Sequence, residues 1–381
     1  MSFALRQAYV RKSLPVPPPP NVDDESARVE DANRGNLVTV GVLGGEKKQQ
    51  RTARLASRER RLGSGIIRRL ARTTAMTTPQ DDAATLAQLR SELRNFQDIT
   101  KYLVPRSGDV PRLTGIEIFG GCMPLNGSVG GDHLIYVDFK RRFDLQARER
   151  QAAERGRTDV VENLRNCAHK AGVALIDVAG HRVTDAVLAA MLHQAFLVGA
   201  LYELEMFGHI TRRLFENLNT RFFQSSGAHK YVSLIYGEIS EDATFRFLSA
   251  AQPTPVVFSR VQDRLVDVAQ ERSVSCPPLG MMPSWDAIDR STTPDAGLGF
   301  KERYQLNEWQ LMGAGDILVI FTDGLSEHRR GEEAYFPGRL EEALRRAKDQ
   351  PARGIYDSIR EDVVAFAPPT DDVSLVVIKL G

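Results

Sequence analysis

Four aspartates stand where predicted strands begin or end, each beside a glycine, an apolar run or both. They are Asp132, Asp177, Asp323 and Asp372. Four carboxylates buried together repel one another at high cost, and bound divalent cations are the usual solution. An all-oxygen ligand set without Cys or His selects hard ions, Mg²⁺ or Mn²⁺. Each acid alone is a common turn residue, but the set predicts a centre for two such ions, able to ionise a bridging water and to hold phosphoryl oxygens.

The strand that ends near Asp323 is the clearest predicted element. Residues 315–324 read Gly-Asp-Ile-Leu-Val-Ile-Phe-Thr-Asp-Gly, and this β-branched run bounded by glycine predicts a buried strand followed by a turn. Similar runs predict strands at 116–123, 133–139, 174–178, 231–239, 244–250, 256–260, 265–268 and 373–380. Apolar residues at helical spacing predict two helix pairs, at 185–201 with 203–223 and at 338–349 with 353–366. Grouped strands and paired helices predict an α+β body of antiparallel sheets flanked by helices.

Composition sets bounds on partners and compartment. The chain has 50 basic and 49 acidic residues, a balance that does not indicate nucleic acid or a membrane surface as a partner. Its three cysteines are far apart in the chain, which predicts reduced thiols of a cytoplasmic protein and no zinc site. A run of about 18 apolar residues is absent, so no membrane span is predicted. The N-terminus has no apolar signal core, so secretion is not expected.

Three segments with different composition predict the domain organisation. Residues 1–80 combine a proline-rich stretch with a basic block, and their low hydrophobicity predicts a disordered arm. A basic arm can touch nucleic acid or anionic lipid, but a solvated tail is the preferred interpretation. Residues 81–104 carry leucines at steps of three and four, which predicts an amphipathic linker helix able to pair with a second copy. Residues 105–381 form the predicted folded domain, with a charged helical connection over 146–170.

Four short motifs carry a resemblance to a known family. They are Gly-Gly-Asp at 130–132, Asp-Val-Ala-Gly-His at 177–181, Thr-Asp-Gly-Leu-Ser-Glu at 322–327 and Asp-Asp-Val-Ser-Leu at 371–375. In order and context they resemble the SpoIIE-like (RsbU-like) branch of the metal-dependent serine/threonine protein phosphatases (PPM family). The resemblance covers residues from about 100 to 381, and the specificity lies in the order of all four motifs.

The resemblance implies a fold, a reaction and a set of roles. It implies a β-sandwich between helical layers, two Mn²⁺ or Mg²⁺ ions, and hydrolysis of phosphoserine or phosphothreonine on a protein. Typical substrates in this branch are phosphorylated anti-anti-sigma factors of the STAS type, in bacterial partner-switching. Carried over by position, the metal ligands would be Asp132, Asp177, Asp323 and Asp372, assisted by the carbonyl of Gly131 or Val178. His181 is a candidate general acid toward the leaving serine oxygen, or else a hydrogen-bonded turn histidine.

Two positions depart from the family pattern and support an alternative function. The family often has a second acid where this chain has Ile135, and a glycine where it has Arg182. Both changes favour a pseudophosphatase that keeps the fold and acts as a regulatory binding module. Retention of all four acids favours the enzyme. The leading interpretation is therefore a cytoplasmic metal-dependent phosphoprotein phosphatase.

Overall fold

The computed structural model describes residues 79–100, 109–125, 130–179, 183–226, 230–268, 273–284, 297–310 and 312–381. The predicted disordered arm lies outside the described residues up to residue 78, as do residues 101–104 of the predicted linker. Within that linker the structure has one helix, α1 (Pro79–Thr100). The boundaries predicted between arm, linker and folded domain stay predictions.

The body groups its strands and helices as predicted. The further helices are α2 (Phe139–Arg142), α3 (Leu145–Glu154), α4 (Thr158–Cys167), α5 (Val183–Phe207), α6 (Arg212–Ser226), α7 (Asp323–Ser326), α8 (Gly338–Ala347) and α9 (Ala352–Phe366). The strands are β1 (Ile116–Met123), β2 (Asp132–Asp138), β3 (Lys170–Val178), β4 (Val232–Ser240), β5 (Phe245–Ala250), β6 (Val256–Ser259), β7 (Arg264–Leu265), β8 (Ser275–Cys276), β9 (Asn307–Trp309), β10 (Ile317–Phe321), β11 (Arg329–Arg330), β12 (Glu333–Ala334) and β13 (Val373–Leu380). The predicted α+β class is confirmed. The charged connection predicted at 146–170 is the helix pair α3 and α4.

Two sheets form the centre of the body. One has the order β1-β13-β10-β6-β7, and the other β2-β3-β4-β5, with β8 and β9 both paired to β5. Every pairing is antiparallel except that of β5 with β8. The chain changes sheet between β1 and β2, so these two strands share a connection and no ladder. Acids carried by different sheets can therefore meet where the two sheets end.

The core has one apolar layer between the sheets and one on each outer face. Leu134 of β2 belongs to the same buried cluster as Ile320 of β10 and Val376 of β13, which shows that the sheets pack face to face. The outer face of the β2 sheet is covered by α5 and α6, and that of the β13 sheet by α8 and α9. The molecule is thus a β-sandwich between helical layers, and the fold implied by the resemblance is confirmed.

Ile135 lies in the outer layer, among residues of α5 such as Leu192 and Phe196. Successive residues of a strand face opposite sides, so its side chain and that of Asp132 point away from each other. Only 1% of Ile135 is exposed. This departure from the family pattern fills the core beneath α5 and does not touch the acids.

Helix α5 is the most apolar helix of the body. By length and composition alone, its segment Asp185–Phe207 is long and apolar enough to cross a membrane. Its inner side, including Phe196, Ala200 and Leu204, is buried against the β2 sheet. The core helix of a soluble protein meets the same two criteria, so composition does not separate the two cases. The outer side carries exposed apolar residues such as Met191, Val198 and Tyr202.

Candidate metal centre

Asp132 and Asp177 face each other across two neighbouring strands. They are direct partners in the register of β2 and β3, and Ser233 of β4 is the next partner in the same row. The row lies at the end of the sheet, because Asp132 opens β2 and Asp177 is the penultimate residue of β3. Antiparallel pairing thus places two carboxylates side by side although 45 positions separate them in sequence.

Thr322 connects this row to the other sheet. It follows the last residue of β10, is fully buried, and its Oγ1 donates a hydrogen bond of 2.8 Å to Asp132 Oδ2. The same Oγ1 accepts one of 3.1 Å from the backbone N–H of Ser374 on β13. Because the Ser374 amide occupies the acceptor side of the hydroxyl, its proton is directed at Asp132. Thr322 therefore fixes the Asp132 carboxylate between the two sheets.

Asp323 follows Thr322 and is the first residue of α7, where a turn was predicted. It is half-buried, and its charge raises the pKa of Asp177, which places the two acids in the same electrostatic field. Gly324 permits this packing, because a Cβ on it would lie 1.9 Å from the carbonyl oxygen of Asp372. The short helix thus lies directly against the segment that enters β13.

Asp372 precedes β13 and its carboxylate holds backbone amides. Oδ1 accepts a hydrogen bond of 2.6 Å from Leu125 N, and Oδ2 accepts one of 2.7 Å from Gly131 N and a longer one of 3.4 Å from Asp132 N. A Cβ on Gly130 would lie 2.0 Å from Oδ2, so glycine is needed for this approach. Asp372 therefore binds backbone amides that lie on both sides of residues 126–129 in the sequence.

The concentrated negative charge raises the pKa of two acids, Asp132 and Asp177. Burial, followed by the charge of Asp177, holds the pKa of Asp132 well above its usual range, against the opposing hydrogen bond from Thr322. Burial and then the charge of Asp323 raise the pKa of Asp177 to about 7, against the hydrogen bond from Ser233. The described side chains thus leave these carboxylates short of positive charge, and a cation bound here would lower both pKa values.

The donor chemistry fits a hard divalent cation, although the ligands are not assembled. Among the described residues, no group of three or more His, Cys, Asp or Glu side chains is close enough together to hold an ion. Asp132, Asp177 and Asp323 would supply carboxylate oxygens, the donors that Mg²⁺ and Mn²⁺ prefer. Asp372 would join them by exchanging amide partners for the ion. A buried acceptor without a partner, Gln252 Oε1, lies beside the row.

Some of the other predicted site residues lie in the described part of the structure, and others lie outside it. The carbonyl of Gly131 accepts a hydrogen bond of 3.3 Å from Val178 N, which ties β2 to β3 beside the acids. His181 and Arg182 lie outside the described residues, so their predicted roles stay predictions. Sequence reasoning missed Ser233 and gave Gln252 no role at the acids, because only the pairing of β3, β4 and β5 brings Ser233 to Asp177 and Gln252 to Ser233. Thr322 was part of a motif but had been given no role.

A comparison of the sequence with models of known protein families identifies the family of this chain. The model described as stage II sporulation protein E (SpoIIE) matches residues 168–381, more than half of the chain. The chain belongs to the SpoIIE family. Its membership in the PPM-type phosphatases, expected from the four motifs, is thereby confirmed. A search of curated proteins found no match.

Solved structures with a similar fold include several phosphatase domains. The SiaA-PP2C domain of Pseudomonas aeruginosa is similar with a TM-score of 0.52 at 13% identity, over 78% of this chain and 100% of that domain. The RsbU and RsbW domains of a Mycobacterium tuberculosis protein give 0.48 at 16%, over 71% of this chain and 61% of that one. The phosphatase domain of Bacillus subtilis SpoIIE with a fragment of its regulatory domain gives 0.49 at 18%, over 70% and 61%. At these identities the likeness concerns the fold, and this SpoIIE-family chain spans about three fifths of the last two structures.

Proposed function

We propose that this SpoIIE-family protein is a metal-dependent phosphatase that hydrolyses phosphoserine or phosphothreonine on a regulatory protein. The observation that carries the proposal is the pairing of Asp132 with Asp177 at one end of the sandwich, where burial and neighbouring acids, Asp323 among them, raise the pKa of both. Buried carboxylates in one place repel one another, and bound cations would relieve that repulsion. Two Mn²⁺ or Mg²⁺ ions held there would supply an ionised water and neutralise charge on the phosphoryl group.

Each residue then has a definite task. Asp132 and Asp177 present oxygens from adjacent strands, and the Thr322 hydroxyl holds one oxygen of Asp132 in place. Asp323 would add a carboxylate from the start of α7, and Asp372, which now accepts a hydrogen bond from Gly131 N, would be the further ligand. His181 would give a proton to the leaving serine oxygen, which an imidazole can do near neutral pH.

The partner and setting follow from the family. We assign as substrate a phosphorylated anti-anti-sigma factor of the STAS type, the typical substrate of this branch. The protein would act in the cytoplasm and form a homodimer through the 81–104 helix. Support for that contact is the exposure of Leu86, Leu89 and Ile99 on α1, since an apolar stripe in water favours a partner.

Turnover of p-nitrophenyl phosphate with Mn²⁺ tests the chemistry. We expect wild-type protein to be active, EDTA to abolish activity, and Asp323→Asn to lower it by about 100-fold or more because a ligand charge is lost. The matched control is Asp349→Asn, which removes a carboxylate that is 70% exposed and paired to Arg260 on the surface. Equal activity of Asp323→Asn and wild type would contradict the assignment of Asp323.

The alternative is a pseudophosphatase that binds its phosphorylated partner without turnover. One observation favours it: Asp372 is engaged by backbone amides, and no three ligands are assembled among the described side chains. Ile135 no longer supports it, since that residue lies in the outer core layer. A wild-type protein that binds a phospho-STAS partner but shows no metal-dependent release of phosphate from it would establish this alternative.

A further inference from the structure

The acidic row continues past Asp177 into two polar residues. Ser233 is the partner of Asp177 in β4, and its Oγ donates to Asp177 Oδ2 at 3.1 Å and to the backbone oxygen of Asp177 at 3.2 Å. Gln252 follows the end of β5 and its Nε2 donates to Ser233 Oγ at 3.0 Å. A chain of hydrogen bonds thus runs from the Gln252 amide through one hydroxyl to the carboxylate.

The orientation of the Gln252 amide follows from this chain. With a cation bound, Asp177 would be ionised and would only accept hydrogen bonds, so the single Ser233 proton would point to Asp177 and Ser233 Oγ would accept from the amide. The NH₂ group of Gln252 therefore faces Ser233. The carbonyl atom Oε1 then faces away from Ser233, and it is buried with no hydrogen-bond partner among the described residues.

Gln252 is held in this position from both sides. Only 4% of the residue is exposed, and its own backbone oxygen accepts a hydrogen bond of 3.2 Å from Ser249 Oγ. The preceding residue, Ala251, has a φ of 61°, a left-handed conformation just after the end of β5. A buried carbonyl without a hydrogen-bond donor destabilises the folded protein.

We propose that Gln252 is a positioning residue of the metal centre. Its NH₂ group holds the Ser233 hydroxyl, and this hydroxyl orients the Asp177 carboxylate that would bind a divalent cation. The proposal rests on the proposed function only in requiring that a cation binds there. Residues that hold a metal ligand without touching the ion commonly tune the affinity for that ion.

Titration calorimetry with Mn²⁺ alone, on the full chain, tests the proposal without turnover. Ser233→Ala removes the relay, and we expect about tenfold weaker binding. Gln252→Met keeps the side-chain length but removes the NH₂ donor, so its affinity should also fall, though no further than that of Ser233→Ala. Gln252→His keeps a donor and an acceptor and should retain affinity within about threefold. The double variant Ser233→Ala with Gln252→Met should bind about as Ser233→Ala does, because Gln252 acts on Asp177 through Ser233.

Thermal unfolding separates this role from a purely structural one. In metal-free protein, Gln252→Met loses the hydrogen bond to Ser233 but also removes an unpaired buried carbonyl, so it should unfold close to the wild-type temperature; only its stabilisation by Mn²⁺ should shrink. Gln262→Met, at an exposed position in the β6–β7 turn, is the matched control and should match wild type throughout.

The outcomes are distinct. Wild-type affinity in Gln252→Met overturns the proposal and leaves the phosphatase assignment intact. Wild-type protein that binds no Mn²⁺ removes the proposed function and this inference with it. A Gln252→Met protein that loses metal-free stability and Mn²⁺ affinity together shows a structural role and also overturns the proposal. Should that variant not fold, Ser233→Ala with wild-type affinity does the same.

Discussion

At the scale of single residues, the chemistry of this protein lies in acids whose charge the described side chains do not balance. Asp177 has Asp132 on one side and Ser233 on the other in its strand register, and the negative charge of Asp323, at the start of α7, acts on it as well. The hydroxyl groups of Thr322 and Ser233 fix the carboxylates but carry no charge. Acid, hydroxyl and amide in one row form a site that is ordered before any ion binds.

The raised pKa of Asp177 predicts how stability depends on pH in the metal-free protein. Its pKa is about 7 when folded and 3.8 ordinarily, so the folded state holds a proton that the unfolded state has lost between these values. Stability therefore falls as pH rises from about 4 to about 7. Asp177→Asn removes this loss, and its stability advantage over wild type should be about 1–3 kcal/mol larger at pH 8 than at pH 5.

Denaturant unfolding of both proteins in EDTA at the two pH values gives the measurement. The difference between them, and not the absolute stability, isolates Asp177 from other titrating groups. A difference that is the same at pH 5 and pH 8 would contradict the raised pKa. Adding Mn²⁺ should reverse the order at pH 8, because wild type gains binding energy that the variant lacks.

At the scale of elements, composition predicts the strands well and their partners poorly. The run of apolar residues at β10 and the one at β13 are visible in sequence, because buried strands read as continuous β-branched stretches. Register is not visible, since many alignments of two apolar strands satisfy the same pattern. That is why Asp132 and Asp177 could be named as candidates, whereas Ser233 and Gln252 could not.

Short elements held by tertiary contacts were also missed. The Thr-Asp-Gly segment was predicted as a turn and forms α7, a single helical turn packed against the entry to β13. The hairpin of β11 and β12 has two residues in each strand, too few for an alternating pattern. Ile135 shows the related difficulty for site residues: position in a motif did not reveal which face of β2 it occupies.

Helix α7 lies close to the Asp372 backbone, and this predicts that an alanine substitution has different effects at two glycines. Gly324→Ala places a methyl group 1.9 Å from the Asp372 carbonyl oxygen, so the backbone must move and Asp323 with it. We expect a loss of about 1–3 kcal/mol in stability and a marked loss of phosphatase activity. Gly338→Ala, at the start of α8, meets no heavy atom within 4 Å and should leave both unchanged. Chemical denaturation and p-nitrophenyl phosphate turnover measure the pair, and equal behaviour would contradict the packing.

At the scale of the whole molecule, two exposed apolar surfaces compete as sites of self-association. Helix α1 exposes Leu86 and Leu89, and helix α5 exposes Met191 and Val198. If the homodimer forms through the 81–104 helix, Leu86→Glu with Leu89→Glu should give a monomer by light scattering, since two charges enter the stripe. Val198→Glu on α5 should leave the dimer intact. A monomer produced by Val198→Glu alone would move the interface to α5.

The hydrogen bond between Gly131 N and Asp372 Oδ2 joins residues that are 241 positions apart. Strand β1 likewise pairs with β13 at the end of the chain, with Ile116 opposite Leu380. Contacts of such sequence separation form late and slow folding, because the chain loses most of its freedom before they stabilise it. The acidic centre therefore cannot exist in a partly folded chain. The amide proton of Gly131 should exchange with solvent only when the whole sandwich opens, so the site is as long-lived as the fold itself.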